Sequence, residues 1–83
     1  MANYNFGLKI KSRQGLVYQG KVKSLSSVNE AGKFDILAQH ANFISLIKDE
    51  VVISDLQGFK KIIKIKSGLL RMRENNLEIY LAI

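Results

Sequence analysis

Apolar and polar residues alternate along most of this chain with a period of two, the spacing of side chains on half-buried β-strands. Over residues 4–10, Tyr4, Phe6, Leu8 and Ile10 alternate with Asn5, Gly7 and Lys9; over residues 77–83, Leu77, Ile79, Leu81 and Ile83 alternate with Glu78, Tyr80 and Ala82. Between these two runs the pattern is shorter and more broken. A polar turn at 12–15 leads into residues 16–28, which begin with Leu16 and Tyr18 on one parity and reach Leu25 on the other. A bulge or bend at Gly20 is expected to reset that parity. A turn at 29–32 precedes a short strand at 33–37, with Phe34 and Ile36 on one side, and then the segment Ala38, Gln39, His40, Ala41, Asn42. Residues 43–47 are apolar apart from Ser45 and fit either a strand or a single helical turn. A strand at 51–54 meets the turn that ends at Gly58, and 59–66 resumes as strand with Phe59, Ile63 and Ile65 on one parity. Gly68 is expected to break this run before residues 69–73, and Glu74, Asn75 and Asn76 supply a turn in which asparagine tolerates positive φ.

No segment carries sustained helical spacing. Short strands recurring about every ten residues, with glycine or asparagine turns at Gly20, Gly32, Gly58 and Gly68, predict an all-β fold. The expected form is a small flattened antiparallel sandwich or barrel of about 8 to 10 short strands, a single domain over residues 1–83. A chain of 83 residues has room for one domain, and one of this size buries only about 60% of the surface its unfolded chain exposes. Without cysteine it has no disulfide framework and no cysteine-based zinc site. A cytosolic setting, or permanent attachment to a larger assembly that supplies extra burial, fits better. No apolar run approaches the roughly 20 residues of a membrane span, and the first residues lack signal-peptide form, so the product reads as soluble and mature.

Thirteen Lys and Arg against seven Asp and Glu give a net charge of +6, which suits nucleic acid, an anionic membrane surface or an acidic protein partner. Lys9 and Lys11, Lys21 and Lys23, Lys64 and Lys66, and Arg71 and Arg73 each stand two apart, so each pair shares one face of a strand. Lysines placed so can simply coat the solvent side of strands and blunt their edges; a dedicated binding face is the alternative.

Convergent chemistry is scarce. His40 has no second histidine or cysteine with which to share a metal, and the adjacent acids Asp49 and Glu50 point opposite ways on a strand. There is neither a GxxxxGK[ST] nor a GxGxxG phosphate motif, and no serine has a partnered base. No catalytic, metal or cofactor site is expected. Tyr4, Tyr18, Phe34, Phe43, Phe59 and Tyr80 invite a single-stranded nucleic-acid reading, since small barrels stack bases on aromatics between lysines. Most of these rings lie on apolar parities, however, where core packing is the simpler account, and only Tyr80 stands on the polar side of its strand.

In its order of features the chain resembles the amino-terminal β-domain of the epsilon subunit of bacterial and chloroplast F-type ATP synthases, called delta in mitochondria. Leu8, Lys9 and Ile10 match the first strand, and Gly20, Lys21 and Val22 the G-x-V element. The stretch from Gly32 through Phe34 and Ile36 to His40, Ala41 and Asn42 matches the glycine, bulky residue, glycine, isoleucine run into P-G-H-A-P. Ser67 and Gly68, then Asn76, Leu77 and Ile79, match S-G-G and the N-x-[VL] strand. Asp35 stands for the second glycine of that run, Ala38 and Gln39 for Pro-Gly, Asn42 for the second proline, and Leu69 for the second glycine of S-G-G. The similarity spans essentially all 83 residues. The family's helical hairpin after the last strand has no counterpart among them, so a short form without that hairpin's restraint on ATP hydrolysis is expected.

The resemblance implies a non-catalytic rotor subunit that couples the gamma subunit to the c-ring in proton-driven ATP synthesis, with no cofactor. It also implies a peripheral position on the cytoplasmic face of the bacterial inner membrane. One face would pack on gamma and one end would rest on the polar loops of the c-ring. Asn29, Glu30 and Lys33, with Gln39, His40 and Asn42, are the candidate contacts, and no nucleic acid is expected. A basic barrel binding single-stranded nucleic acid and a divergent epsilon-like interaction module are the alternatives.

Overall fold

In the computed structural model, which describes residues 4–82, the alternation is realised as six strands: β1 (Phe6–Ser12), β2 (Gly15–Asn29), β3 (Gly32–Leu37), β4 (Phe43–Asp55), β5 (Lys60–Arg73) and β6 (Asn76–Ala82). They run in the order β1-β6-β5-β4-β2-β3, and β1 also pairs with β2. Five strands therefore close into a barrel, while β3 is an extra strand that pairs with β2 over Ser24–Asn29, beyond the stretch that β1 occupies. Every pairing is antiparallel except that of β1 with β6, which is parallel. The inward residues form one core: Phe6, Leu8 and Ile10 from β1, Val22 and Leu25 from β2, Ile36 from β3, and Ile47, Val51 and Ile53 from β4. Leu70 and Met72 from β5 with Leu77 and Ile79 from β6 complete it.

The strands are fewer and longer than the eight to ten expected, because two expected breaks are bulges inside continuous strands. Residues 43–47 are strand, and they join 51–54 through Asp49, whose φ of 71° kinks β4 without ending its pairing with β5. Opposite that step β5 carries Lys66 as an extra residue, since Lys48 pairs with Ser67 and Asp49 with Ile65. The inward parity of β5 thereby changes from Ile63 and Ile65 to Gly68, Leu70 and Met72. Bulges of this kind increase local bend and twist, which a ring of only five strands needs in order to close.

Two glycines expected at turns lie inside strands. Gly68 is buried in β5, and a Cβ there would stand 3.0 Å from the Tyr80 carbonyl oxygen, so its role is close approach of β5 to β6. Gly20 pairs in regular register with Leu8. The parity of β2 changes three residues later, where Val22 pairs with Asp55 and Ser24 with Ser54, leaving Lys23 as the extra residue. Gly32 and Gly58 sit at chain reversals with positive φ. Ile83, counted in the last alternating run, lies outside the described residues.

Candidate functional site

The same alternation that fills the barrel leaves an apolar stripe on its outside. Leu46 pairs with Leu69 across β4 and β5, Leu69 with Tyr80 across β5 and β6, and Tyr80 with Lys11 across β6 and β1. In the neighbouring row Ile44 lies opposite Arg71, and Arg71 opposite Glu78. Ile44 is 65% exposed, Leu46 74%, Leu69 41% and Tyr80 46%. Four large apolar side chains thus lie side by side on three strands, where isolated exposed apolar residues would need no explanation but a contiguous group marks an interaction surface. The Lys11 ammonium stands 5.8 Å from the centroid of the Tyr80 ring, a cation–π contact at the margin, and the Tyr80 hydroxyl donates to Glu78 Oε2 at 3.3 Å. Sequence reasoning misses this stripe because residues 43–47 fit strand and helical turn equally well. The outward parity of Ile44 and Leu46 exists only once a strand is chosen.

The six candidate contact residues fall into two groups that leave opposite ends of β3, separated by roughly 17 Å of strand. Asn29, Glu30 and Lys33 belong to the β2–β3 hairpin. Asn29 Oδ1 accepts from the Ala31 N–H at 2.9 Å, closing the turn, and its Nδ2 donates to Ser45 Oγ at 3.2 Å. Glu30 and Lys33 are exposed. Gln39, His40 and Asn42 lie on the β3–β4 connection. The Phe43 ring stands in edge contact with both Phe34 on β3 and His40 on the connection, at 5.7 and 5.6 Å.

The connection is fastened to the β5–β6 turn by side-chain amides. Gln39, at φ 64°, donates its backbone N–H to Asn75 Oδ1 at 2.8 Å, and Asn42 Oδ1 accepts from the Glu74 N–H at 3.3 Å. Asn75 also donates from Nδ2 to the Asn5 carbonyl at 2.9 Å, and its own carbonyl accepts from the Gly7 N–H at 3.2 Å. One side chain therefore ties the start of β1, the His40 segment and the last turn together. The left-handed backbone at Gln39 stands where the resembling family carries glycine, and the amide bond offsets what a side chain costs there. His40 is half-buried; its N–H donates to the Leu37 carbonyl at 3.2 Å, and Nδ1 lies 2.8 Å from the Ala41 carbonyl, a contact that needs the proton on Nδ1.

The exposed aromatics differ from those expected. Besides Tyr80, Tyr4 and Phe59 are 78% and 75% exposed. Both precede the first residue of a strand, and Phe59 is held in the β4–β5 turn, where its carbonyl accepts from the Asp55 N–H at 3.0 Å. Among the described residues no three His, Asp or Glu side chains gather as a metal set. The ion pair of Lys64 with Glu50, at 2.9 Å, hydrogen-bonds the Glu50 carboxylate and holds its pKa below the ordinary 4.5.

Residues 5–82 match the family model for the ATP synthase delta/epsilon chain β-sandwich domain. The chain is 39% identical over 69 residues to an ATP synthase epsilon chain of a Nitratiruptor species, covering 82% of this chain and 54% of that one. It is 31% identical over 75 residues to the epsilon chain of Endomicrobium trichonymphae, covering 89% and 54%. The chain thus spans about half the length of the curated relatives it matches. Its fold superposes with a TM-score of 0.89, at 14% identity, on a chain of the Euglena gracilis mitochondrial ATP synthase, covering 98% of this chain and 52% of that one. A chain of the Tetrahymena thermophila mitochondrial ATP synthase central stalk and c-ring gives a TM-score of 0.74 at 9% identity, covering 93% and 63%.

Proposed function

The chain belongs to the ATP synthase delta/epsilon β-sandwich family, and from that premise we propose that it is a non-catalytic rotor component of an F-type ATP synthase. In this reading it joins the gamma subunit to the c-ring and sits peripherally at the cytoplasmic face of a bacterial inner membrane. The observation that carries the reading is the outer stripe Ile44, Leu46, Leu69 and Tyr80. A permanent subunit interface resembles a core cut in half, and a rigid closed barrel with one such face can pass torque to a partner without chemistry of its own. The stripe is assigned to gamma. The β2–β3 hairpin with Asn29, Glu30 and Lys33, and the segment with Gln39, His40 and Asn42, are assigned to the ring loops, where exposed polar groups set register and specificity more than affinity.

The test is to mix the chain with the gamma subunit of the same source and follow the complex by gel filtration. The wild-type chain should co-elute with gamma, and the double variant Leu46→Glu, Leu69→Glu should not, although both side chains are exposed and their replacement should leave stability within about 0.5 kcal/mol. A complex that survives the double variant, or tight salt-resistant binding of a single-stranded oligonucleotide with no gamma complex, would overturn the assignment. His40→Ala should cost the isolated domain less than about 1 kcal/mol in a urea melt while weakening assembly on the ring; a larger loss would make His40 a structural residue.

A further inference from the structure

The β5–β6 turn and the segment that follows β3 hold each other in backbone geometry that most side chains disfavour. Two residues reverse the chain between β5 and β6, Glu74 at φ 51° and Asn75 at φ 62°. Such a left-handed pair suits the twist of a tight hairpin, and asparagine tolerates it better than most residues. Gln39, at φ 64°, is left-handed as well. The two sites bond in both directions: the Gln39 N–H donates to Asn75 Oδ1, and the Glu74 N–H to Asn42 Oδ1. Each side thus gives one backbone donor and one side-chain acceptor. Asn75 is half-buried and anchored by its Nδ2 on the Asn5 carbonyl, so the clasp is fixed to the barrel. The other ties of the segment are the His40 N–H on the Leu37 carbonyl and the His40 ring against Phe43.

We propose that Asn75 is a positioning residue, which sets the geometry in which Gln39, His40 and Asn42 are presented to a partner and acts through them rather than through a contact of its own. The proposal rests on the assignment of those three residues to the ring loops. Gln39 is exposed, so a bond to Asn75, and not packing, holds its left-handed backbone. Released from that bond, the backbone would relax toward the regions that side chains prefer, and His40, the next residue, would turn with it. A segment that samples its binding geometry only part of the time binds more weakly in proportion to that fraction, and the clasp raises the fraction. It also decides what the segment moves with. The turn belongs to β5 and β6, which carry Leu69 and Tyr80, so a load taken up at the stripe reaches the His40 segment through one hairpin and two hydrogen bonds.

The experiment uses the full chain, with the gamma subunit and the detergent-solubilised c-ring of the same source. Asn75→Gly suits the left-handed backbone and removes both side-chain bonds. Exchange of the Gln39 amide in the free chain should quicken at least about tenfold, and co-elution with gamma should be unchanged. Affinity of the gamma complex for the ring should fall at least about fivefold. Asn75→Asp keeps the acceptor and loses only the donor to Asn5, so the Gln39 amide should stay protected. Gln39→Gly keeps its N–H and relieves its backbone; in that background Asn75→Gly should cost less stability than in the wild type, yet weaken ring binding at least as much. A ring effect that shrinks together with the stability effect would make Asn75 a purely structural residue. The proposal also fails if the Gln39 amide stays protected in Asn75→Gly, if that variant binds the ring like the wild type, or if it loses gamma and ring together. A wild-type gamma complex that does not bind the ring, or His40→Ala binding it unchanged, overturns the ring assignment and this proposal with it, whereas failure in Asn75→Gly alone overturns only the proposal.

Discussion

The barrel has two outer faces built by the same alternation, and they treat exposed apolar side chains in opposite ways. On the face of β4, β5 and β6, Leu46, Leu69 and Tyr80 are cross-strand neighbours, and Ile44 stands two residues from Leu46 on β4 in a row that Arg71 ends. On the face of β5, β4, β2 and β3 they are fenced. Ile62 pairs with Val52, but the row continues into Ser26 and Asp35, whose hydroxyl and carboxylate hydrogen-bond each other. Leu37 pairs with Ser24, and Ser24 in turn with Ser54. The Lys64–Glu50 ion pair covers the next row. Both faces expose individual leucines and isoleucines to a similar degree, so exposure residue by residue does not distinguish them. What differs is whether the next strand continues the apolar row or ends it with serine or charge, and only a continued row offers a partner enough adjoining area to displace water.

If the faces differ only on the outside, the layer beneath them should respond alike. Leu70 lies under the apolar face and Ile53 under the fenced one, both fully buried; Leu70→Ala and Ile53→Ala should each lower unfolding free energy by about 2–5 kcal/mol, measured by urea titration. A loss confined to one of them would mean two cores and break the comparison. A smaller effect singles out the fenced face. Ser27, the one buried polar residue among those described, donates its hydroxyl to the Glu50 carbonyl at 2.7 Å beside the Asp49 kink. Ser27→Ala leaves that carbonyl without its donor and should cost about 1–3 kcal/mol, with faster amide exchange along residues 48–52 and none of that change at Leu69 or Tyr80. The smallest effect belongs to the ion pair. Because the Glu50 carboxyl binds a proton less readily in the folded chain than in the unfolded one, its contribution is fully present above the unfolded value and is lost as pH falls through the range below 4.5. The urea midpoint should drop through that range in the wild type, and the part of the drop owed to this pair should be missing in Lys64→Gln.

Much of the fold was legible because strand alternation is a local signal. The runs ending in Ile10 and beginning at Leu77 mark β1 and β6, and the turns expected at 29–32, 55–58 and 74–76 each contain a chain reversal, although residues 29, 32, 55 and 76 belong to the flanking strands. What local signals do not carry is continuity. A parity change reads as the end of a strand, but at Asp49, Lys66 and Lys23 it is a bulge within one, and no residue pattern distinguishes the two until a partner strand is placed opposite. Strand direction is likewise invisible to a period-two pattern, so the parallel pairing of β1 with β6 has no signature in the alternation. For the candidate site, the turn chemistry of Asn75 was readable. Its bonds to Gln39 and Asn5 join residues 36 and 70 positions away, and such distances leave no mark on neighbouring sequence.

The parallel pairing of β1 and β6 also fixes an order of events in folding. Leu8 has its partner Leu77 on the last strand described, so the ring cannot shut until nearly the whole domain has been synthesised. The early strands can meanwhile gather through the hairpins of β1 with β2 and β2 with β3, which need only short loops. The contacts of β1 with β6 are the most distant in sequence among the strand pairings, and contacts of large separation slow folding. During this interval the inward face of β1, with Phe6, Leu8 and Ile10, is open on one side. A nascent chain of this kind is most exposed to misassembly just before β6 arrives.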